Sequence, residues 1–206
     1  MGTQFTTVAA VNARLDQGAT VDATLLGAII DASTAQIAQW CNRWERGTNL
    51  LLRKAARTEY PRSWGGNYLQ LDVYPIESIT SVTVALDRDY DNGDSLTEDT
   101  DYVADYSMGG LYKEYLNWST IRKAVKVVYS AGYVDPASVA GEGQIALPAD
   151  IQEAAIRQAI HLFKTRLAPG VRSQGMDDGS MTFYDARDLL ESVKALVRPY
   201  RRVVIP

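Results

Sequence analysis

The chain has 206 residues, 46% of them apolar and 22% charged, which predicts a globular protein with a buried core rather than a disordered or fibrous chain. One elaborated domain or two small ones fit this length, whereas a large enzyme architecture such as a β/α barrel of ~250 residues does not. Twenty-one Lys and Arg against twenty-five Asp and Glu leave a net charge of −4, with one cysteine, Cys41, and one histidine, His161; no global basic field gathers nucleic acid, and an internal disulfide and zinc sites of several Cys and His ligands are excluded.

The N-terminal stretch lacks a basic start and a continuous apolar run, so no secretory signal is expected. No run of about 18 apolar residues occurs, so no membrane span is expected either. The spacing of Val8, Val11 and Leu15 predicts a first helix over 6–17. A longer helix is predicted over 22–44, where Leu26, Ile30, Ser33, Ile37, Trp40, Cys41 and Trp44 recur at steps of three and four, with Thr20 or Asp22 as its cap.

From 47 to 133 the period becomes alternating and β-branched and aromatic residues take over. Strands are expected over 50–60, 68–71, 79–86, 102–105, 111–112 and 124–130. Pro75 is expected to keep its neighbourhood out of a central strand, and Gly132 and Pro136 to end the sheet. After a linker over 136–144, Leu147-Pro148-Ala149-Asp150 starts a helix to about 167, with Pro and a carboxylate at its N-terminal end. Residues 168–180, with Pro169, three glycines, Asp177 and Asp178, read as a mobile loop. A last helix over 185–198 uses Leu189, Val193 and Leu196 as its seam, and a β-prone basic tail follows. The expected class is α+β: a helical core of long antiparallel helices from 1–46 and 136–198, a large inserted antiparallel β region over 47–135, and an extended tail over 199–206.

Charge is segregated. Residues 43–62 carry six basic and two acidic side chains, and 87–105 carry eight acidic and one basic. Within the acidic run, Asp87, Asp89, Asp91 and Glu98 occupy positions 1, 3, 5 and 12 of an EF-hand-like calcium loop, but Asn92 stands where the sharp turn wants Gly and the flanks read as strands. An acidic hairpin loop without metal is the stronger reading, and calcium is the only cofactor the sequence suggests. His161 lies within an apolar helix far from any Ser, Cys or Asp partner in sequence, and Cys41 on a helix seam, so both read as packing residues rather than catalytic groups. Neither Gly141-Glu142-Gly143 nor 175–179 has the spacing of a phosphate-binding loop.

Six segments in sequence order carry a family resemblance. They are Leu25-Leu26-x-x-Ile29-Ile30-x-Ala32-Ser33; Leu69-x-Leu71 followed by Tyr74-Pro75-Ile76-x-Ser78-Ile79-x-Ser81-Val82; Asp101-Tyr102-Val103; Val125-x-Val127-Val128-Tyr129-Ser130-Ala131-Gly132-Tyr133; Leu147-Pro148-x-Asp150-Ile151-x-x-Ala154; and Arg166 closing that helix. In this order they resemble the head-to-tail connector family of tailed bacteriophages, the adaptor or head-completion proteins. The resemblance covers nearly the whole chain, although the β region and the acidic loop exceed those of the smallest members. It implies a non-enzymatic virion part, made in the bacterial host cytoplasm. Such a part assembles as a ring, usually of twelve copies, beneath the portal protein at the capsid vertex. The ring extends the DNA channel without sequence-specific binding and offers a platform to the next neck or tail protein. No membrane partner is implied.

The terminal position and β-propensity of Tyr200, Arg201, Arg202, Val203, Val204, Ile205 and Pro206 make them the expected contact to the portal or a neighbouring subunit. Alternative readings are a stopper or tail-completion subunit built on the same ring logic, and a calcium-dependent binding module centred on the acidic loop.

Overall fold

A computed structural model describes residues 4–15, 21–43, 52–166, 173–176, 179–182 and 189–202. The fold is α+β and divides into two compact units. One lies within Met1–Leu50, Asp135–Val139 and Ala146–Pro206, the other within Leu51–Val134 and Ala140–Ile145.

The first unit holds the helices: α1 (Val8–Asn12), α2 (Ala23–Trp40), α3 (Ala149–Thr165) and α4 (Glu191–Val197), the last running into a 3-10 turn over Arg198–Tyr200. Each is shorter than the periodicity predicts, for local reasons. Phe5 and Thr6 are buried, and the Phe5 N–H donates to Thr34 Oγ1 at 3.2 Å. The expected first turn is thus committed to a tertiary contact, and the Thr7 hydroxyl caps α1 instead.

α2 stops at Trp40 because Asn42 takes a left-handed φ of 55°. The Arg43 and Asn42 N–H groups then reach back to the Ala38 and Gln39 carbonyls at 2.8 and 3.1 Å, the paired bonds of a Schellman ending. Asn is the non-glycine residue that tolerates this conformation best. α3 starts where the sequence places it: Pro148 is its N-cap, its carbonyl accepting from Ile151 and Gln152, and Asp150 sits in the first turn.

The helical core contains Val11, Leu15, Leu26, Ile30, Ile156, Ala159 and Phe163. Within it the fully buried Gln158 joins three elements, its Nε2 donating to Gln36 Oε1 at 2.8 Å and its Oε1 accepting from the Leu190 N–H at 3.2 Å. A buried amide satisfied from both sides fixes helix register more sharply than apolar contact alone.

Within the expected loop over 168–180, the described residues form two paired antiparallel strands, β8 (Ser173–Met176) and β9 (Gly179–Thr182); the rest of that span lies outside the described residues.

The second unit holds β1 (Ala55–Glu59), β2 (Tyr68–Gln70), β3 (Ile76–Val84), β4 (Asp94–Leu96), β5 (Val103–Asp105), β6 (Gly110–Tyr112) and β7 (Val125–Ala131). A four-stranded sheet runs β1-β7-β3-β4 and a three-stranded sheet β2-β6-β5, with every strand pair antiparallel. β7 alternates strictly, burying Val125, Val127, Tyr129 and Ala131 on one face. Leu69, Leu71, Ile76, Val82, Leu111 and Trp118 complete this core, and the Trp118 indole donates to the Asn67 and Leu111 carbonyls.

Two expectations for this region are overturned. β3 begins directly after Pro75 and is an interior strand of its sheet, not excluded from it. Pro75 stands just before the strand, so its missing N–H removes no ladder bond, while its carbonyl accepts from Gly132 N–H at 2.8 Å. The acidic run is not one loop either: β4 lies inside it and pairs with Val82–Val84.

Candidate interaction surfaces

The acidic segment is held by its own carboxylates. Asp87 Oδ1 accepts from the Asp89 N–H at 3.0 Å, Asp89 Oδ2 from Asn92 Nδ2 at 2.7 Å, and Asp101 Oδ2 from the Thr97 N–H at 2.7 Å. Glu98 Oε2 accepts from the Tyr106 hydroxyl at 2.8 Å. Burial, and after it this carboxylate, pushes the Tyr106 phenol up to about 12. Asp105 Oδ1 accepts from the Ser107 N–H, the Ser107 hydroxyl and the Met108 N–H, which hold its carboxyl below the usual range. These side chains close turns. Among the described residues no group of three or more acidic, His or Cys side chains gathers where a metal ion would sit, so Asp87, Asp89, Asp91 and Glu98 are not brought together as calcium ligands.

Opposite in sign is a cleft of about 480 Å³ lined by Tyr60, Arg62, Arg88, Arg122 and Lys123. β1 delivers Tyr60 and Arg62 past its C-terminal end, the turn after β3 delivers Arg88, and the turn before β7 delivers Arg122 and Lys123. All four cations are exposed, and none has a carboxylate partner among the described residues. Aromatic rings hold two of them, Arg62 and Lys123, and neighbouring Lys126 as well. The Arg62 guanidinium lies 4.0 Å from the centre of the Trp64 ring, Lys123 Nζ 5.8 Å from Tyr60, and Lys126 Nζ 5.3 Å from Tyr90. Tyr60 and Tyr90 pack with centroids 5.4 Å apart, Arg88 Nε donates to the Arg122 carbonyl at 3.3 Å, and the Tyr90 hydroxyl donates to the Lys123 carbonyl. Sequence reading flagged the basic run ending at Arg62 but missed the cleft, because Arg88 lies inside the acidic run and only strand topology joins it to residues 122–123.

The three-stranded sheet presents an aromatic row. Tyr68, Tyr112 and Val103 stand opposite one another across β2, β6 and β5, all exposed, with the two tyrosine rings 4.8 Å apart. Nearby in sequence, Met108, Tyr115 and Leu116 are exposed as well. Such apolar exposure is characteristic of contact surfaces.

Of the expected C-terminal contact, Tyr200 ends the 3-10 turn, the Arg201 guanidinium lies 5.1 Å from the Trp40 ring, and the Arg202 N–H donates to the Cys41 carbonyl at 2.9 Å. Arg201 and Arg202 lie in no strand; Val203, Val204, Ile205 and Pro206 fall outside the described residues. Cys41 is buried, and burial pushes its thiol up to about 11. His161 lies within α3; burial lowers its pKa, and its Nε2 meets no hydrogen-bonding partner among the described residues. No described helix is long and apolar enough to cross a membrane.

No protein-family model and no curated protein matches the chain. Solved structures do match it. A chain in a structure described as the neck of an empty gene transfer agent particle, computed with C6 symmetry, aligns over 97% of this chain and 90% of its own length, with a TM-score of 0.55 and 18% identity. A chain in the neck of the native particle, computed with C12 symmetry, gives the same coverage with a TM-score of 0.52 and 16% identity. A chain in the virion of the native gene transfer agent again gives 0.55 and 18% over the same shares. At these identities the likeness establishes a common fold.

Proposed function

We propose that this chain is a structural, non-enzymatic subunit of a phage-type neck, forming a ring of twelve copies beneath the portal protein that extends the DNA channel and joins head to tail. The observation that carries the reading is the shared fold over 97% of the chain with chains of particle necks. Six residue segments that resemble those of the connector family, in the family's order, support it as well. The C6 and C12 symmetry of those necks supports a ring whose copy number is a multiple of six. In this reading α2 and α3 are the long antiparallel pair of the helical core, and residues 200–206 meet the portal or the neighbouring subunit. The site of action is the virion neck at the capsid vertex. The exposed aromatic row and the segregated charges are surfaces that a ring subunit would bury.

The test is co-sedimentation of the purified chain with the portal protein of the same genome, with stoichiometry read by mass, beside a truncation lacking residues 200–206. The expected result is saturation at one copy per portal subunit, lost on truncation. Failure of the folded full-length chain to bind refutes the portal-proximal position; binding to a tail or neck protein instead assigns it a stopper or tail-completion place.

A further inference from the structure

Four consecutive residues at the end of α2 hold the chain where it leaves α4. The Arg201 guanidinium lies 5.1 Å from the Trp40 ring, and the Arg202 N–H donates to the Cys41 carbonyl at 2.9 Å. Asn42 Nδ2 donates to the Arg202 carbonyl at 3.1 Å, and Arg43 Nε to the Tyr200 carbonyl at 3.3 Å. Both main-chain polar groups of Arg202 are thus taken, and by adjacent residues. Arg43 is only 2% exposed, and a buried guanidinium is costly unless its donors are used. Aiming one of them at a main-chain carbonyl ties the segment after α4 to the end of α2.

Asn42 does more than the helix ending requires. Its backbone, with φ of 55°, closes α2, and glycine would hold that conformation at least as well. The side-chain amide is therefore surplus to the helix end, and its bond goes to Arg202. Beyond Arg202 the sequence is Val203-Val204-Ile205-Pro206, three β-branched residues and a proline. Such residues have few backbone states to lose, and a restricted segment joined to a fixed point loses less entropy on binding.

We propose that Asn42 is a positioning residue for portal attachment: together with Arg43 and the Cys41 carbonyl it fixes the chain at Arg202, so that residues 200–202 are the anchor and residues 203–206 are the part delivered to an apolar site on the portal protein. The inference rests on the neck reading and divides its C-terminal contact at Arg202. A clasp that only closed the helical unit would affect the melting temperature and leave portal affinity alone.

The test compares the parent, Asn42→Gly and a truncation lacking residues 203–206 in co-sedimentation with the portal protein. Asn42→Gly keeps the left-handed turn and removes one exposed hydrogen bond, so its melting temperature is expected within about 2 °C of the parent. Its portal affinity is expected to fall at least about threefold, and that of the truncation to be lost although residues 200–202 remain. If the parent and the truncation bind alike, delivery of 203–206 is overturned. If the truncation loses binding while Asn42→Gly binds as the parent does, the positioning role is overturned and the neck reading stands.

If the parent does not bind, the portal reading falls, and the anchor is decided on the chain alone by pulsed electron resonance between nitroxides at Ala28→Cys and Arg202→Cys. Ala28 is exposed on α2, about 21 Å along the helix from Asn42 at ~1.5 Å per residue. Cys41 is buried and is expected to stay unlabelled. A distance distribution that is narrow in the labelled parent and broadened by Asn42→Gly upholds the anchor. Equal widths overturn it.

Discussion

Replacing Gly132 with Ala should be among the most damaging single-methyl additions in this chain. Gly132 has φ of 103°, and a Cβ built there falls 2.3 Å from the Arg53 carbonyl oxygen, 2.4 Å from its carbon and 2.7 Å from Lys54 N. All three are backbone atoms, so no rotamer change makes room. The approach is close because three hydrogen bonds converge: Gly132 N–H to the Pro75 carbonyl, Tyr133 N–H to the Leu52 carbonyl and Lys54 N–H to the Tyr133 carbonyl, each 2.8 Å. The left-handed backbone alone costs an L-residue roughly 1–2 kcal/mol. Relieving the overlap separates the chain near Arg53 from the end of β7 and breaks at least one or two of these bonds, at about 1 kcal/mol each, besides loosening buried Ala131. The quantified terms sum to about 2–4 kcal/mol, a large share of the ~5–15 kcal/mol typical of a domain. Urea unfolding followed by the fluorescence of buried Trp118 measures it. Gly141→Ala is the control, since its Cβ meets only the Gln144 side chain at 3.5 Å. A loss below about 1 kcal/mol at Gly132 would refute the claim that this crossing is rigid.

Glu77 accepts from Lys54 Nζ at 2.7 Å and from the Ser130 hydroxyl at 2.8 Å, and these bonds hold its carboxyl below the usual range. A depressed folded value stabilises above the unfolded value and is lost as pH falls through the folded one. Glu77→Gln should therefore cost about 1 kcal/mol near neutral pH, shrinking towards zero in acid, as measured by urea midpoints across pH. Buried Cys41, with its thiol pushed up to about 11, should resist a soluble disulfide reagent in the folded chain and react fully once unfolded, read by absorbance of the released thiolate. Because the acidic segment spends carboxylates on its own turns, millimolar calcium should leave the melting temperature within about 1 °C, and a dose-dependent rise in calorimetry would contradict this. Trp118→Phe keeps most of the buried volume but removes the indole donor to the Asn67 and Leu111 carbonyls, and should lower stability by about 1–3 kcal/mol in urea unfolding followed by circular dichroism.

What the sequence discloses follows from how local each determinant is. α3 is legible because Pro148 and Asp150 mark its start within three residues, and β7 because Val125, Val127, Tyr129 and Ala131 alternate without a break. The end of α2 is missed because Asn42, not Gly, takes the left-handed position, and the Schellman bonds are invisible to side-chain periodicity. β3 begins earlier than expected because the penalty on Pro75 applies inside a ladder, not one residue before it. β4 goes unread because Asp94-Ser95-Leu96 is a three-residue polar edge strand whose only neighbour in the sheet is β3. The cleft is the least legible feature, since its residues come from three connections spread between 60 and 123.

Local strain marks the same surfaces by a separate route. Among the described residues four non-glycine positions have positive φ: Asn42, Arg88, Asp99 and Lys123. Asn42 is accounted for by the ending of α2. The other three are Arg and Lys in the cleft and Asp in the acidic segment, at exposed turns where no core packing dictates the side chain. Glycine or asparagine would hold those turns at lower conformational cost, as Gly65 and Gly109 do elsewhere in the unit. Retaining a charged residue in a left-handed turn sacrifices stability for the charge itself, and such departures from local preference concentrate where a surface is used. Strain and unpaired charge thus arise from independent properties of the chain, backbone conformation in one case and the lack of ion pairs in the other. Their meeting at Arg88, Lys123 and Asp99 marks these turns as positions where charge is kept at the expense of local backbone preference.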